Sequence, residues 1–374
     1  MNVDVGQIPE QFRTAHSSPT CERGTRNGLV GIVIPAYNAA ETIIDVLTQL
    51  PLCVATIVVV DDGSWDATAE RVRQYAEDDR RVTLVTHPKN RGLSAAMTTG
   101  FAHALGAGVD YVVKMDSDGQ MRAEDLLRLL EPLIAGRADY AKGNRFRDFA
   151  TLRQMPLVRL IGNVVLSFAA KAATGYWNLF DPTNGFVAIR ADVLRQIHYD
   201  KLQGYFIFET AMLAELYLLG AVVEDVPMKA HYGKETSHLS IARAGVTYPA
   251  RLLWMFVRRI FLRYFLMDFS MASVFLLSGL PMVAMGAIYG MHHWWHYSQL
   301  GIGAPTGTVV LPAMLIILGV QFLLSAIHED LSNVPLPPVS IGQPWRSLCK
   351  ILDQQQEVVV LDSREMQDRP MEQK

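Results

Sequence analysis

Two stretches of this 374-residue chain contain no Lys, Arg, Asp, Glu or His: residues 269–291 and residues 297–327. An α-helix of about 23 residues is roughly 35 Å long, enough to cross a hydrocarbon layer of about 30 Å. Two buried core helices of a soluble domain are the alternative, but uncharged runs of this length are rare there. Gly279, Pro281 and Gly286 are also better tolerated in a membrane helix. The sequence therefore predicts two transmembrane helices within residues 264–330.

The basic residues around these stretches predict an orientation. Four arginines precede the first stretch: Arg251, Arg258, Arg259 and Arg263. The predicted loop 291–307 has neither Lys nor Arg and carries the interfacial aromatics Trp294, Trp295 and Tyr297. Because cytoplasmic loops carry the excess of positive charge, we expect a multi-pass protein of the cytoplasmic (inner) membrane, with the large N-terminal domain and both termini in the cytoplasm. The N-terminus lacks an apolar segment, so no cleavable signal peptide is predicted.

Residues 241–263, which lead into the first stretch, are basic and amphipathic. Five arginines and no acidic residue occur in 241–267, interleaved with Leu, Trp, Phe and Tyr. This pattern predicts a segment lying on an anionic membrane surface, with a solvated basic helix as the alternative. The earlier apolar segment within 151–180 predicts a helix that either packs in the core or lies near the bilayer.

Composition excludes several classes of protein. The chain is 50% hydrophobic, which excludes a disordered chain, and its 34 Lys and Arg against 37 Asp and Glu argue against a nucleic-acid partner. Its three cysteines have no paired spacing, so neither a disulfide framework nor a zinc site is predicted. The tail 331–374 is long enough to pair with a neighbouring copy, so a homo-oligomer is allowed.

Short β-branched runs alternate with helical patterns after residue 28, whereas residues 1–27 are polar and predict a mobile tail. The first four predicted strands are 29–35, 55–60, 82–86 and 111–115. Continuous apolar strands joined by helices predict an α/β fold with a parallel sheet covered on both faces. Ligands of such sheets lie beyond the carboxyl ends of the strands. Neither a G-x-G-x-x-G fingerprint nor a G-x-x-x-x-G-K-[ST] loop occurs, which disfavours a dinucleotide or P-loop site.

Polar clusters follow three of these strands. They are Pro35-Ala36-Tyr37-Asn38, Asp61-Asp62 and Asp116-Ser117-Asp118. Two carboxylates in a D-x-D turn suit a hard divalent cation, Mg²⁺ or Mn²⁺, and an ordinary Asp-rich turn is the alternative. One carboxylate of Asp61-Asp62 could accept hydrogen bonds from a base or ribose, and the other could cap the turn through Ser64. The coincidence of three clusters at strand ends favours a site.

Four ordered motifs resemble glycosyltransferase family 2, which has the GT-A fold. They are Pro35-Ala36-Tyr37-Asn38 with Glu41, Val60-Asp61-Asp62-Gly63-Ser64, Asn90-Arg91-Gly92 and Met115-Asp116-Ser117-Asp118-Gly119-Gln120. Their spacing resembles the branch of dolichyl-phosphate mannose synthases and bacterial polyprenyl-phosphate glycosyltransferases. The resemblance covers residues 28–240 and implies a GT-A catalytic domain followed by the basic segment and the transmembrane helices. It further implies an inverting transferase that takes a UDP- or GDP-hexose and delivers the sugar to a polyprenyl phosphate in the membrane.

The resemblance also implies residue roles. The nucleotide pocket would be lined by Pro35, Tyr37, Asn38, Glu41 and Asp116, with Asp61 or Asp62 on the base or ribose. The Mg²⁺ or Mn²⁺ ion would be held by Asp116, Asp118 and Gln120. Groups near the acceptor or the phosphates would be Arg145, His231, Lys234 and His238. The residues implied to be catalytic are Asp118, Arg145 and Glu209.

Two departures from the family pattern bear on the acceptor. Thr210 follows Glu209 where many members with a hydroxyl acceptor have a Glu-Asp pair, and no Gln-x-x-Arg-Trp motif occurs. A sugar hydroxyl needs a general base, whereas a phosphate monoester is already anionic near neutral pH. A lipid phosphate is therefore favoured. Two alternatives stay open: transfer to a hydroxyl of a glycolipid or lipid-linked glycan, and a non-catalytic membrane protein that binds sugar nucleotides. Glu209 is either the base for such a hydroxyl or a structural or capping residue.

Overall fold

The computed structural model describes residues 28–122, 124–144, 157–181, 184–202, 208–228 and 241–336. Their strands are β1 Val30–Ala36, β2 Val54–Asp61, β3 Val82–Thr86, β4 Tyr111–Lys114, β5 Tyr140–Asn144, β6 Val187–Arg190 and β7 Val223–Pro227. Their helices are α1 Ile43–Thr48, α2 Thr68–Asp78, α3 Leu93–Gly106, α4 Glu124–Ile134, α5 Leu157–Thr174, α6 Ala191–Leu194, α7 Phe208–Leu218, α8 Ile241–Phe261, α9 Met271–Leu300 and α10 Thr306–Ser332. The predicted first four strands and the α/β class are confirmed.

The seven strands form one twisted sheet in the order β3-β2-β1-β4-β6-β5-β7. The pairs β1–β2, β2–β3, β1–β4 and β5–β7 are parallel, whereas β6 is antiparallel to both β4 and β5. The sequence did not predict this reversed strand, because apolar runs do not encode strand direction. The chain proceeds outwards from β1 on both sides, which makes the carboxyl end of β1 a topological switch point.

Both faces of the sheet are covered, so the central strands are buried on both sides. Ile32 and Ile34 of β1 pack in the cluster that includes α1 and α4, while Val33 packs in the cluster on α3 and α7. Alternate strand residues point to opposite faces, so a strand covered on both faces is apolar throughout. The β1 sequence VGIVIPA has that character.

The two uncharged stretches form α9 and α10, of 30 and 27 residues, both long and apolar enough to cross a membrane. Only 22% and 17% of their most apolar windows are buried, whereas core helices of a soluble domain would be mostly covered. The helices approach closely at small residues: a Cβ on Gly279 would lie 2.9 Å from the carbonyl oxygen of Gly319. The fold class, a GT-A-like α/β domain followed by two candidate membrane spans, agrees with expectation.

The connection between the spans is shorter than the predicted loop 291–307. Helix α9 continues through Trp294, Trp295 and Tyr297 and ends at Leu300. Gly301, at φ 64°, supplies the left-handed residue that commonly ends a helix. No helix-breaking residue precedes it after Met291, so the histidines and aromatics extend the helix.

The basic segment also differs from expectation, because two of its arginines face the protein. Arg258 forms an ion pair with Glu215 of α7. The guanidinium of Arg259 is 1% exposed and binds Asp330 of α10, with N–O distances of 2.6 and 2.9 Å. The hydroxyl of Tyr264 and the indole N–H of Trp177 donate to the same carboxylate at 2.6 and 2.9 Å. This Asp330 cluster fastens the end of α10 to α8, to the residues just after α8 and to the segment just after α5.

Candidate active site

A pocket opens at the carboxyl ends of β1, β2 and β4, the topological switch point of the sheet. It encloses about 360 Å³ and is lined by Pro35, Ala36, Tyr37, Asp62, Asn90, Gly92, Leu93, Ala96, Asp116, Ser117 and Asp118. Small-molecule sites commonly measure about 300–1,000 Å³. The three polar clusters and the Asn90-Arg91-Gly92 motif, far apart in the sequence, therefore meet in one cavity.

The turn after β1 is fixed to the loop after β2 by Asn38. Its backbone is left-handed at φ 53°, a conformation in which Asn is enriched among non-glycine residues. The amide of Asn38 donates to Oγ of Ser64 at 2.9 Å, and its side-chain oxygen accepts from the amide of Trp65 at 3.1 Å. This leaves Tyr37, 47% exposed, at the pocket wall with its ring available for stacking.

The two carboxylates after β2 have different surroundings. Asp61 accepts a hydrogen bond from the amide of Ser64 at 3.2 Å, so Asp61 is the residue that caps the turn. Asp62 accepts from the amides of Arg91 and Gly92 at 3.0 and 2.7 Å, and from Nδ1 of His87 at 2.6 Å. Asp62 thereby holds the Asn90-Arg91-Gly92 loop against the pocket.

The D-x-D turn after β4 lines the pocket with two carboxylates. Oδ1 of Asp118 accepts the amide of Gln120 at 2.9 Å, and the Thr42 hydroxyl donates to the carbonyl of Ser117 at 2.6 Å. These bonds fix the turn on α1. Asp116 is approached by Gly185, where a Cβ would lie 2.5 Å from Oδ2, so a larger residue there would displace this carboxylate.

A buried lysine lies behind the D-x-D turn. Nζ of Lys114, the last residue of β4, is 2.7 Å from Oδ1 of Asp116 and 3.0 Å from Oε1 of Glu209. It also donates to the carbonyl of Gly185 at 3.1 Å, and the side chain is 1% exposed. Burial alone would lower the pKa of Lys114, but the two carboxylates outweigh it and hold the pKa above its ordinary value.

Glu209 lies in the first turn of α7 and joins the site through Lys114. It is 9% exposed. Burial and the nearby charge of Glu209 both raise the pKa of Tyr140 well above its ordinary value. The same two causes raise the pKa of Tyr248, on α8, to about 12, although a hydrogen bond with Thr210 lowers it. Glu209 is thus next to the helix that leads to the two candidate membrane spans.

The remaining sequence-predicted site residues are placed elsewhere or lie outside the described residues. Asn38, Glu41, Asp61 and Gln120 do not line the pocket; Glu41 is exposed, and Asp61 is buried. Four candidates fall outside the described ranges: Arg145, His231, Lys234 and His238. The neighbouring Asn144 is described, and its amide donates to Asp225 at 3.0 Å.

Sequence reasoning missed two residues of the site. Lys114 interrupts the apolar run of β4, and a lysine in a buried strand is rarely tolerated without partners, which is the signal that could have identified it. His87 follows β3 and bridges Asp62 to the Thr99 hydroxyl, whose oxygen is 3.0 Å from Nε2. Nothing in the local sequence distinguishes this histidine from a surface one.

The chain resembles known proteins in the region that builds this pocket. A sequence model described as glycosyl transferase family 2 matches residues 31–198. The polyprenol monophosphomannose synthase of Mycolicibacterium smegmatis is 34% identical over 198 residues, which cover 50% of this chain and 71% of that protein. The undecaprenyl-phosphate mannosyltransferase of Micrococcus luteus is 33% identical over 200 residues, covering 52% of this chain and 81% of that protein.

One solved structure that the chain resembles is the glucosyl-3-phosphoglycerate synthase of Mycobacterium tuberculosis. It is 18% identical, with a TM-score of 0.45, and the match covers 62% of this chain and 80% of that chain. At this TM-score the likeness adds nothing to the sequence matches.

Proposed function

We propose that this chain, a glycosyltransferase that belongs to glycosyl transferase family 2, transfers a hexose from a UDP- or GDP-hexose to a polyprenyl phosphate in the membrane. The two relatives described above are named a polyprenol monophosphomannose synthase and an undecaprenyl-phosphate mannosyltransferase. The observation that carries the proposal is the juxtaposition of Asp116 and Asp118 in one pocket at the switch point of the sheet.

The donor is assigned to this pocket on the chemistry of its walls. Tyr37 offers a ring to a nucleobase. The loop Asn90-Arg91-Gly92, called the 90s loop below and held in place by Asp62, offers backbone groups to a ribose or phosphate. Of the two carboxylates after β2, Asp62 lines the pocket, whereas Asp61 caps the turn through Ser64, so Asp62 is the candidate for a base or ribose. The volume of the pocket and its polar lining suit a nucleotide.

The residues present fit a divalent cation. Asp116 and Asp118 supply carboxylate oxygens, and no group of three or more His, Cys, Asp or Glu is arranged to hold a metal within the described ranges. Mg²⁺ is commonly bound by one or two carboxylates, with substrate phosphates and water completing its shell. We assign the ion to Asp116 and Asp118, with Gln120 nearby. When bound, it neutralises charge on the departing diphosphate.

The acceptor side is assigned to the membrane. Helices α5 and α8 expose apolar side chains between the pocket domain and the spans: Val164, Val165, Phe168, Trp254, Val257 and Phe261. Exposed apolar surface next to two lipid-length helices supports an acceptor that arrives from the bilayer. Because Asp330 binds Arg259, the open end of the α9–α10 hairpin lies on the same side as the pocket domain. The arginines before α9 support a cytoplasmic position for that side, with the domain and both termini.

The proposed reaction needs no proton transfer from the acceptor. A phosphate oxygen of the lipid attacks the anomeric carbon, the new C–O bond forms, and the bond to the nucleotide diphosphate breaks with inversion. Glu209 is bound to the Lys114 ammonium, which supports an acceptor that requires no general base. Binding of the phosphate groups is assigned to Arg145, with Lys234, His231 and His238 as further candidates.

The test is a donor screen with the purified full-length chain in vesicles that contain polyprenyl phosphate, with mass spectrometry of the lipid product. We expect one nucleotide sugar to give a polyprenyl-phosphate hexose. Asp118→Asn should reduce transfer by about 10²-fold or more. Asp45→Asn, the same change on an exposed face of α1, is the control. Wild-type turnover by Asp118→Asn would overturn the metal assignment.

Glu209→Gln separates the lipid phosphate from a sugar hydroxyl as acceptor. Loss of a general base typically costs about 10²–10⁴-fold in rate. A smaller loss agrees with a phosphate acceptor, and a loss of that size favours a hydroxyl. Glu77→Gln, on the exposed side of α2, is the matched control.

A further inference from the structure

Lys114 connects three elements of the candidate site through a single atom. Its Nζ contacts Asp116 of the D-x-D turn, the carbonyl of Gly185 before β6, and Glu209 of α7. Asp116 lines the pocket assigned to the donor, whereas Gly185 precedes β6 and Glu209, the candidate base for an acceptor, belongs to α7. The ammonium therefore lies at the boundary between the two halves of the site.

Burying this ammonium is costly, so its position requires an explanation. A lysine at 1% exposure has lost its water and is retained only where anions and carbonyls replace it. The neighbours of Lys114 in the strand are Val112 and Val113, both fully buried. Packing in a strand covered on both faces calls for apolar residues and not for a charge. The charge is therefore better explained by the two carboxylates than by the core.

The geometry makes those two carboxylates interdependent. Both carboxylates contact the same Nζ, so Oδ1 of Asp116 and Oε1 of Glu209 lie within about 6 Å of each other. Charges at that separation influence each other strongly. A Cβ on Gly185 would lie 2.5 Å from both Nζ of Lys114 and Oδ2 of Asp116. Asp116 is thus enclosed on two sides, and a shift of Nζ changes how Asp116 presents its oxygens.

We propose that Lys114 is a positioning residue that couples the acceptor-side Glu209 to the metal-binding Asp116. The Glu209 carboxylate shares the ammonium with Asp116 and so leaves Asp116 partly free for the cation. Neutralising Glu209 releases the ammonium to Asp116, where it competes with the cation. This inference rests on the proposed function only for the identity of the metal site.

The test measures Mn²⁺ binding by electron paramagnetic resonance, in the full-length protein with GDP or UDP present and no sugar or lipid. We expect Glu209→Gln to weaken Mn²⁺ binding at least about threefold, since residues that share one charge network couple energetically. In the Lys114→Met background, the same change should alter Mn²⁺ binding less than about 1.5-fold. Glu77→Gln should have no effect in either background.

Equal shifts in both backgrounds, or no shift in either, would overturn the coupling. Lys114→Arg should keep it, because a guanidinium can still contact both carboxylates. If Lys114→Met does not fold, Lys114→Gln replaces it, and coupling that survives in Lys114→Gln refutes the proposal. Failure to make any lipid product, with the Mn²⁺ coupling intact, would refute the proposed function and leave this inference standing.

Discussion

The Asp330 cluster leads to a prediction about how the membrane helices are attached. Asp330 accepts from Arg259 at 2.6 and 2.9 Å, from Tyr264 at 2.6 Å and from Trp177 at 2.9 Å, and it is 4% exposed. Asp330→Asn preserves the size of the side chain but removes the charge that binds Arg259. The buried guanidinium, 1% exposed, then loses its anionic partner.

The expected cost follows from the burial of both partners. Removing one member of a buried ion pair destabilises by about 3–5 kcal/mol, because an uncompensated charge stays behind. The hydroxyl and indole donors lose a charged acceptor as well, but these effects overlap and do not add. The hairpin of α9 and α10 has its own close contacts at Gly279 and Gly319. The cost should therefore fall on the junction between α8 and the spans.

Amide hydrogen exchange in lipid nanodiscs, followed by mass spectrometry, measures this cost locally. A loss of about 3 kcal/mol in opening free energy speeds exchange about 10²-fold, since 1.4 kcal/mol is a factor of ten. We expect that acceleration in peptides covering 256–273 and little change in β1. Glu329→Gln, the neighbouring acid, is the matched control.

A compensated double variant distinguishes a buried ion pair from general damage. Arg259→Met with Asp330→Leu replaces both charges by apolar groups, which is often neutral or stabilising. Protection of 256–273 should largely return. If Asp330→Asn exchanges like the unmodified chain, or if the double variant is worse than either single one, the reasoning from burial is wrong.

Three further predictions concern the pocket and its surroundings. Asp62→Asn should weaken nucleoside diphosphate binding about tenfold in calorimetry, because it loosens the 90s loop; unchanged affinity would show that the loop is held otherwise. Gly185→Ala places a methyl group 2.5 Å from Asp116 Oδ2, so it should lower the transfer rate while changing the thermal midpoint little. An undiminished rate would show that the methyl group does not displace Asp116. Burial and the charge of Glu209 raise the pKa of Tyr248 to about 12, so its stabilising contribution is complete below about pH 10 and is lost as the pH rises from there to about 12. The thermal midpoint should fall across that pH window, and it should fall less in Tyr248→Phe. If the two proteins give identical curves of midpoint against pH, the Tyr248 phenol is not the group responsible.

Much of the fold could be predicted from local patterns. The apolar runs that became β1 to β4 and the uncharged runs that became α9 and α10 are consecutive residues whose burial or lipid exposure depends on their own hydrophobicity. The D-x-D turn was predictable for a similar reason: strand ends of a parallel sheet meet at one edge, whatever the rest of the chain does. Asp116 and Asp118 therefore reached the pocket as expected.

Other features depend on which distant residues meet. The direction of β6, the anchoring of the 90s loop by Asp62, and the partners of Lys114 all require the assembled sheet. The difference is clearest for the arginines before α9, which predicted a membrane surface. Arg259 instead faces inward, because Asp330, 71 residues away, replaces the water that its guanidinium would lose.

The sequence by itself determined that this protein has an α/β domain with acidic strand ends and two helices of membrane length. Hydrophobic periodicity carries that information, since it acts within a few residues of chain. Tertiary structure alone decided which charges are paired, and so that Lys114 joins Asp116 to Glu209 and that Asp330 fastens the spans to the domain. A buried charge is stable only beside its partner, and that partner is chosen by folding rather than by sequence spacing.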